Sequence, residues 1–175
     1  MADSTGNILV LVVPEDNYSK NLVDLAKSLS EKYKTLCYVS LNRPCKSVMQ
    51  MLTAAGVDLT RFYFMDAITK TARVPEPMSN VTYISSPGAL TEISLAVANF
   101  FNVNHADCFI FDSLSTLSVH ESETVIAKFV HFLMAKLKIV GCDSFFTVLK
   151  TDENSILMKD VKMFADQIVE IGKWR

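Results

Sequence analysis

Residues 14–21, Pro14-Glu15-Asp16-Asn17-Tyr18-Ser19-Lys20-Asn21, occupy the frame of a phosphate-binding loop but keep little of its chemistry. They follow the apolar run Ile8-Leu9-Val10-Leu11-Val12-Val13 and precede a helix-like stretch. A loop that cradles phosphate reads G-x-x-x-x-G-K-[ST] in such a place. Its glycines let successive backbone N–H groups converge on the ligand. Here Lys20 holds the lysine position, Pro14 and Ser19 stand for the two glycines, and Asn21 stands for the hydroxyl residue that binds magnesium. Pro14 has no N–H and a fixed φ. Ser19 brings a Cβ where close approach is needed, and Glu15 and Asp16 would repel an anionic ligand. Without those glycines, the stretch also reads as an ordinary strand-to-helix loop with a lysine in frame by chance.

A second marker lies at Phe109-Ile110-Phe111-Asp112-Ser113-Leu114-Ser115. An apolar strand ending in an aspartate is the form of a Walker B segment, whose carboxylate helps to hold magnesium. Any buried strand with a polar last residue has the same form, so the motif acquires meaning only in company.

Positioning both segments takes an α/β fold. Short apolar runs rich in β-branched residues alternate with longer amphipathic ones, which predicts a mainly parallel sheet with helices on both faces. Strands are expected at residues 8–13, 35–41, 61–66, 81–84, 108–112, 144–149 and 167–171. Leu22, Leu25, Ala26 and Leu29 mark the first helix. Pro44 opens a second, with Val48, Met49, Leu52 and Ala55 as its stripe and Gly56 at its end. Pro75 and Pro77 break a connector at 67–80. Ser86-Pro87 predicts the start of a third helix carrying Leu90, Ile93, Ala96, Val97 and Phe100. Ser118-Val119-His120-Glu121 fits a capping box. It is expected to open a long helix with Val125, Phe129, Phe132, Leu133 and Leu137 on its inner face and Gly141 at its end. Residues 151–154 read as a turn and 159–165 as a short last helix. Neither a repeat nor a second domain is visible, so residues 1–175 read as one domain.

Composition narrows the functional classes. The 175 residues are 50% hydrophobic and carry a net charge of −2. Buried parallel strands account for part of that apolar content, and an oligomer interface would account for more. Without a basic stripe there is no electrostatic case for nucleic acid. Cys37, Cys45, Cys108 and Cys142 form no C-x-x-C pair, which predicts reduced, buried thiols in a cytoplasmic protein. His105, His120 and His131 lack metal-ligand spacing, so no metal site is expected. No apolar run reaches membrane-spanning length, and membrane insertion is not expected.

Taken in order, several segments resemble the KaiC/RadA branch of RecA-like ATPases. They are the Asp112-Ser113-Leu114-Ser115 turn with its following helix, Lys136-Leu137-Lys138-Ile139-Val140-Gly141-Cys142, and Phe164-Ala165-Asp166-Gln167-Ile168-Val169-Glu170-Ile171. The resemblance runs from Asn7 to Ile171 and is strongest in the last third. It implies a three-layer RecA-like P-loop fold of archaeal type that assembles into rings or filaments. It also implies ATP and magnesium as ligands of the active members. Of the residues that matter there, Lys20, Asn21, Asp112 and Ser113 stand at the matching positions. In the family an acidic residue near the end of the second strand activates water, whereas Tyr38-Val39-Ser40-Leu41-Asn42-Arg43 has no carboxylate. With phosphate cradle, metal hydroxyl and general base altered, the expectation is a catalytically inactive pseudo-ATPase with no cofactor and no catalytic residue. It would be a regulatory or interaction module, partnered by its own copies or by a KaiC-like paralogue.

Two other readings follow from the same residues. One is a residual nucleotide binder using Lys20 and Asp112 with ATP and magnesium. The other is a receiver-like signalling domain, in which Glu15, Asp16, Asp66, Ser113 and Lys150 would meet at strand ends. A nucleophilic hydrolase would need a G-x-S-x-G elbow, which surrounds neither Ser113 nor Ser115.

Overall fold

The computed structural model describes residues 5–172. Its strands are β1 (Ile8–Val13), β2 (Leu36–Ser40), β3 (Phe62–Asp66), β4 (Val81–Tyr83), β5 (Cys108–Asp112), β6 (Asp143–Leu149) and β7 (Gln167–Glu170). They pair in parallel in the order β4-β3-β2-β5-β6-β1-β7. The helices are α1 (Tyr18–Lys32), α2 (Cys45–Ala54), α3 (Thr69–Ala72), α4 (Leu90–Val103), α5 (Leu114–His120), α6 (Glu123–Ile139) and α7 (Ile156–Val161).

Because strand side chains alternate between faces, one strand serves two cores. Val10 and Val12 of β1 join Ile93, Leu117, Phe129, Leu133 and Leu157 from α4, α5, α6 and α7. Leu11 turns the other way, onto Leu22, Ala26 and Leu29 of α1 and Val48 and Leu52 of α2. The result is the three-layer α/β arrangement expected from the sequence. All four cysteines are free and buried.

The helix termini depart from the sequence reading in places. Ser86-Pro87 forms a turn, with Ala89 N–H on the Ser86 carbonyl, and α4 begins only at Leu90. The long helix after β5 is two helices. Ser113 caps α5 by accepting the Thr116 N–H, so Ser118 falls inside a helix already begun. Ser122 then precedes α6 without a side-chain cap bond. On α6, Phe129, Leu133 and Leu137 are buried as expected, but Val125 and Phe132 face outward. Ser155 caps α7, which starts three residues before the predicted helix.

All strands point the same way, so Val13, Ser40, Asp66, Asp112 and Leu149 end on one edge of the sheet. After β2 the chain enters α2 on one face, and after β5 it enters α5 on the other. The adjacent ends of β2 and β5 therefore form a switch point, where open α/β sheets hold their ligands.

Candidate functional site

At that switch point Asp112 is fully buried and closely satisfied. Tyr18 donates its hydroxyl to Asp112 Oδ1 at 2.5 Å, and Asn42 Nδ2 donates to the same oxygen at 2.7 Å. Tyr38 donates to Oδ2 at 2.8 Å. Three elements thus converge on one carboxylate: the start of α1, the body of β2 and the loop after β2. The Tyr18 hydroxyl also lies 3.1 Å from Thr147 Oγ1, which donates to the Phe111 carbonyl on β5. Burial pushes the Asp112 carboxyl above its ordinary range, and the donors Tyr18, Tyr38 and Asn42, with the Arg43 charge, pull it part of the way back. Burial, reinforced by Asp112, drives the Tyr18 and Tyr38 hydroxyls well above the ordinary phenol value, so both remain neutral donors.

The loop that could cradle phosphate is tight. Residues 14–17 connect β1 to α1, and Tyr18 N–H already donates to the Glu15 carbonyl at 3.2 Å. Asn17 takes a left-handed conformation at φ 62°. The Glu15 carboxylate accepts the Thr151 N–H at 2.7 Å, tying the loop to the turn after β6. Helix α1 thus begins two residues before Lys20. Lys20 projects into solvent, 74% exposed, and pairs with Asp24 at 2.8 Å one turn along. Asn21 lines a groove between α1 and β7. Of the four residues singled out from the sequence, the fold brings Asp112 and Ser113 to the switch point and leaves Lys20 and Asn21 away from it.

Ser113 is engaged as the cap of α5 and also receives Asn42 Nδ2 at 3.4 Å. Thr116 closes the circuit by donating to Asn42 Oδ1. Ser115 accepts the Leu149 N–H at 2.9 Å and so fastens α5 to β6. Neither serine has an imidazole partner among the described residues. His105 pairs with Asp107 at 2.8 Å, and His131 stacks on Phe164 at 3.9 Å between ring centres. Beside this network opens a cleft of about 620 Å³, bordered by Tyr18, Asn42, Arg43, Thr116 and Thr151. Arg43 reaches across its rim to Ser19 Oγ at 2.5 Å, so the loop is clamped from the β2 side as well.

The receiver-like convergence does not form. The sheet order places β3 four strand positions from β1. At about 4.8 Å per strand, Asp66 and Asp16 begin about 19 Å apart. Asp66 instead organises its own corner, accepting the N–H groups of Cys45, Ile68 and Thr69 at 2.8 Å each and the Thr69 hydroxyl at 2.6 Å. Lys150 pairs with Glu153 and Glu170 at 2.6 and 3.3 Å.

Tyr18, Tyr38 and Thr147 were not singled out from the sequence. A tyrosine two residues ahead of an in-frame lysine was the available signal, but nothing local says that its ring turns toward β5. Asn42 drew notice for the carboxylate it replaces, whereas its structural part is to donate to Asp112.

No protein-family model and no curated protein matches the chain. Solved structures do. The KaiC-like protein PH0186 of Pyrococcus horikoshii superposes with a TM-score of 0.69 at 13% identity, over 95% of this chain and 73% of that one. The flagellar accessory protein FlaH of Methanocaldococcus jannaschii gives a TM-score of 0.62 at 15% identity, over 95% and 71% of the two chains. The P. horikoshii protein PH0321, solved in complex with an unknown peptide, gives 0.67 at 15% identity, over 94% and 77%. No helix among the described residues is long and apolar enough to cross a membrane. With a parallel seven-stranded sheet, Asp112 at the end of its central strand and neighbours of this kind, the chain is a RecA/KaiC-like domain in its fold.

Proposed function

We propose that this domain is a pseudo-ATPase: a RecA/KaiC-like module that hydrolyses no nucleotide and works by contact with other subunits. The observation that carries the reading is the Tyr18 hydroxyl on Asp112. In a phosphoryl-transfer site of this type, that carboxylate would face a hydrated magnesium ion. Here it faces two phenols and an amide, and each donor comes from a different element. A metal would have to displace hydroxyls that the fold holds in place.

The neighbouring parts agree with this. Pro14 and Ser19 deny the loop its glycines, Lys20 is committed to Asp24, and Asn42 supplies an amide where water activation would need a base. An interaction role is supported by the peptide held by one structural neighbour, PH0321. It is also supported by large apolar side chains left in solvent, including Phe132, Ile139 and Met163.

Phosphate release from magnesium-ATP tests the catalytic half. Wild type and Asp112→Asn should both stay at the enzyme-free blank over hours. Turnover in wild type that Asp112→Asn abolishes would overturn the proposal.

A further inference from the structure

The cleft beside Asp112 is bordered by one cation and one anion that do not meet. Arg43 follows the end of β2 by three residues, and Asp152 follows the end of β6 by three. β5 lies between those two strands, so their ends stand about 10 Å apart. Both side chains are half-buried, and both border the cleft of about 620 Å³. Neither belongs to an ion pair among the described residues. The Arg43 guanidinium spends one nitrogen on Ser19 Oγ at 2.5 Å and another on Met51 Sδ at 3.2 Å, both uncharged. A guanidinium carries five donors, and its planar fork binds a carboxylate more strongly than a neutral acceptor. The neighbouring charges are already engaged. Lys150 pairs with Glu153 and Glu170, and Asp112 holds its three donors. Charges drawn out of water without a partner are costly to hold.

We propose that this cleft binds a small zwitterion, its carboxylate on Arg43 and its ammonium on Asp152. Each charge of the ligand then meets the counter-charge that the fold leaves open. Val119, 81% exposed, and Leu149 border the same space and supply an apolar wall for a short carbon chain. The volume lies within the range of small-molecule sites, where a few placed polar groups fix the orientation of the ligand. A polyphosphate fits worse. Pro14 has no N–H to offer, the Tyr18 N–H is already on the Glu15 carbonyl, and Asp152 repels a polyanion. The inference goes beyond the pseudo-ATPase reading and rests on it only for a cleft that magnesium nucleotide does not fill.

Amide chemical shifts of the full chain, titrated with glycine, β-alanine, γ-aminobutyrate and ε-aminocaproate, read the binding. One length of the series is expected to saturate with a dissociation constant below about 10 mM. Butyrate and butylamine, each with a single charge, should bind at least about tenfold more weakly than that member. Arg43→Gln and Asp152→Asn should each weaken it at least about tenfold. Arg43→Lys keeps the charge and loses the fork, and it takes the place of Arg43→Gln should that variant misfold by circular dichroism. A series in which no member saturates below about 10 mM overturns the inference. So does a singly charged control that binds as tightly as the best member, or binding unmoved by Asp152→Asn or by the folded Arg43 variant. Phosphate release is measured without these probes, so turnover would remove the pseudo-ATPase reading and leave the titration to stand or fall alone.

Discussion

Replacing Tyr18 with Phe removes one oxygen atom and tests the centre of the proposed site. The ring stays, so the packing of α1 against β6 is conserved. Asp112 loses one of its three side-chain donors, and Thr147 loses a neighbour while keeping the Phe111 carbonyl. A hydrogen bond to a charged group contributes about 1.5–3 kcal/mol. Tyr18 is half-buried, so a value toward the lower end, about 2 kcal/mol, is appropriate. At about 2.1 cal/mol/K per residue, the 175 residues imply an unfolding entropy of about 0.4 kcal/mol/K. The melting temperature should therefore fall by about 5 °C. The loss should also depend on pH. Burial holds the Asp112 carboxyl above its ordinary value. Between the ordinary and the raised value the folded state binds the extra proton, so stability falls as pH rises through that window. Tyr18 donates most strongly to the ionised form, so Tyr18→Phe should cost more above the raised value than below it. Urea titrations followed by circular dichroism across a range of pH measure this. A loss under about 0.5 kcal/mol at every pH would refute the pairing of phenol and carboxylate.

Two further outcomes follow from the same geometry. Magnesium-ATP at millimolar concentration should leave the melting temperature unchanged; a dissociation constant of 10 µM would instead stabilise by about 2.7 kcal/mol, and a shift abolished by Lys20→Ala would favour nucleotide binding. Acid should weaken the fold through Asp66 and Asp143: burial raises both carboxyls, but the donors around them win and hold both below the ordinary value of 3.8. Their stabilisation is complete above that value and is lost as pH falls through the folded values, so a urea midpoint that holds constant from pH 5 to pH 2 would contradict it.

Most of the sheet could be read from local pattern. β1 and β5 match their apolar runs residue for residue, because buried parallel strands are written as uninterrupted hydrophobic stretches. Helix starts were less accessible. Ser113 and Ser118 are both good capping residues, and only the end of β5 at Asp112 decides that the first is used. The stripe on α6 misled for a different reason. Val125 and Phe132 keep helical spacing with one another, but they lie on the outer side of a helix with two apolar faces. Periodicity reports that a face is apolar and says nothing of what covers it. At the site, Asp112 was evident as the polar end of an apolar strand, while its partners were not. Tyr18, Tyr38 and Asn42 lie 94, 74 and 70 residues away in sequence and meet only through the strand order.

The satisfaction of Asp112 couples the two marker segments, the loop after β1 and the end of β5, through one hydroxyl. A glycine at position 14 would add one backbone amide to the loop, yet the Tyr18 hydroxyl would still occupy the carboxylate. Removing the phenol would leave a buried acid short of a donor in a less stable protein. The loop and the carboxylate are therefore constrained to change together rather than one residue at a time.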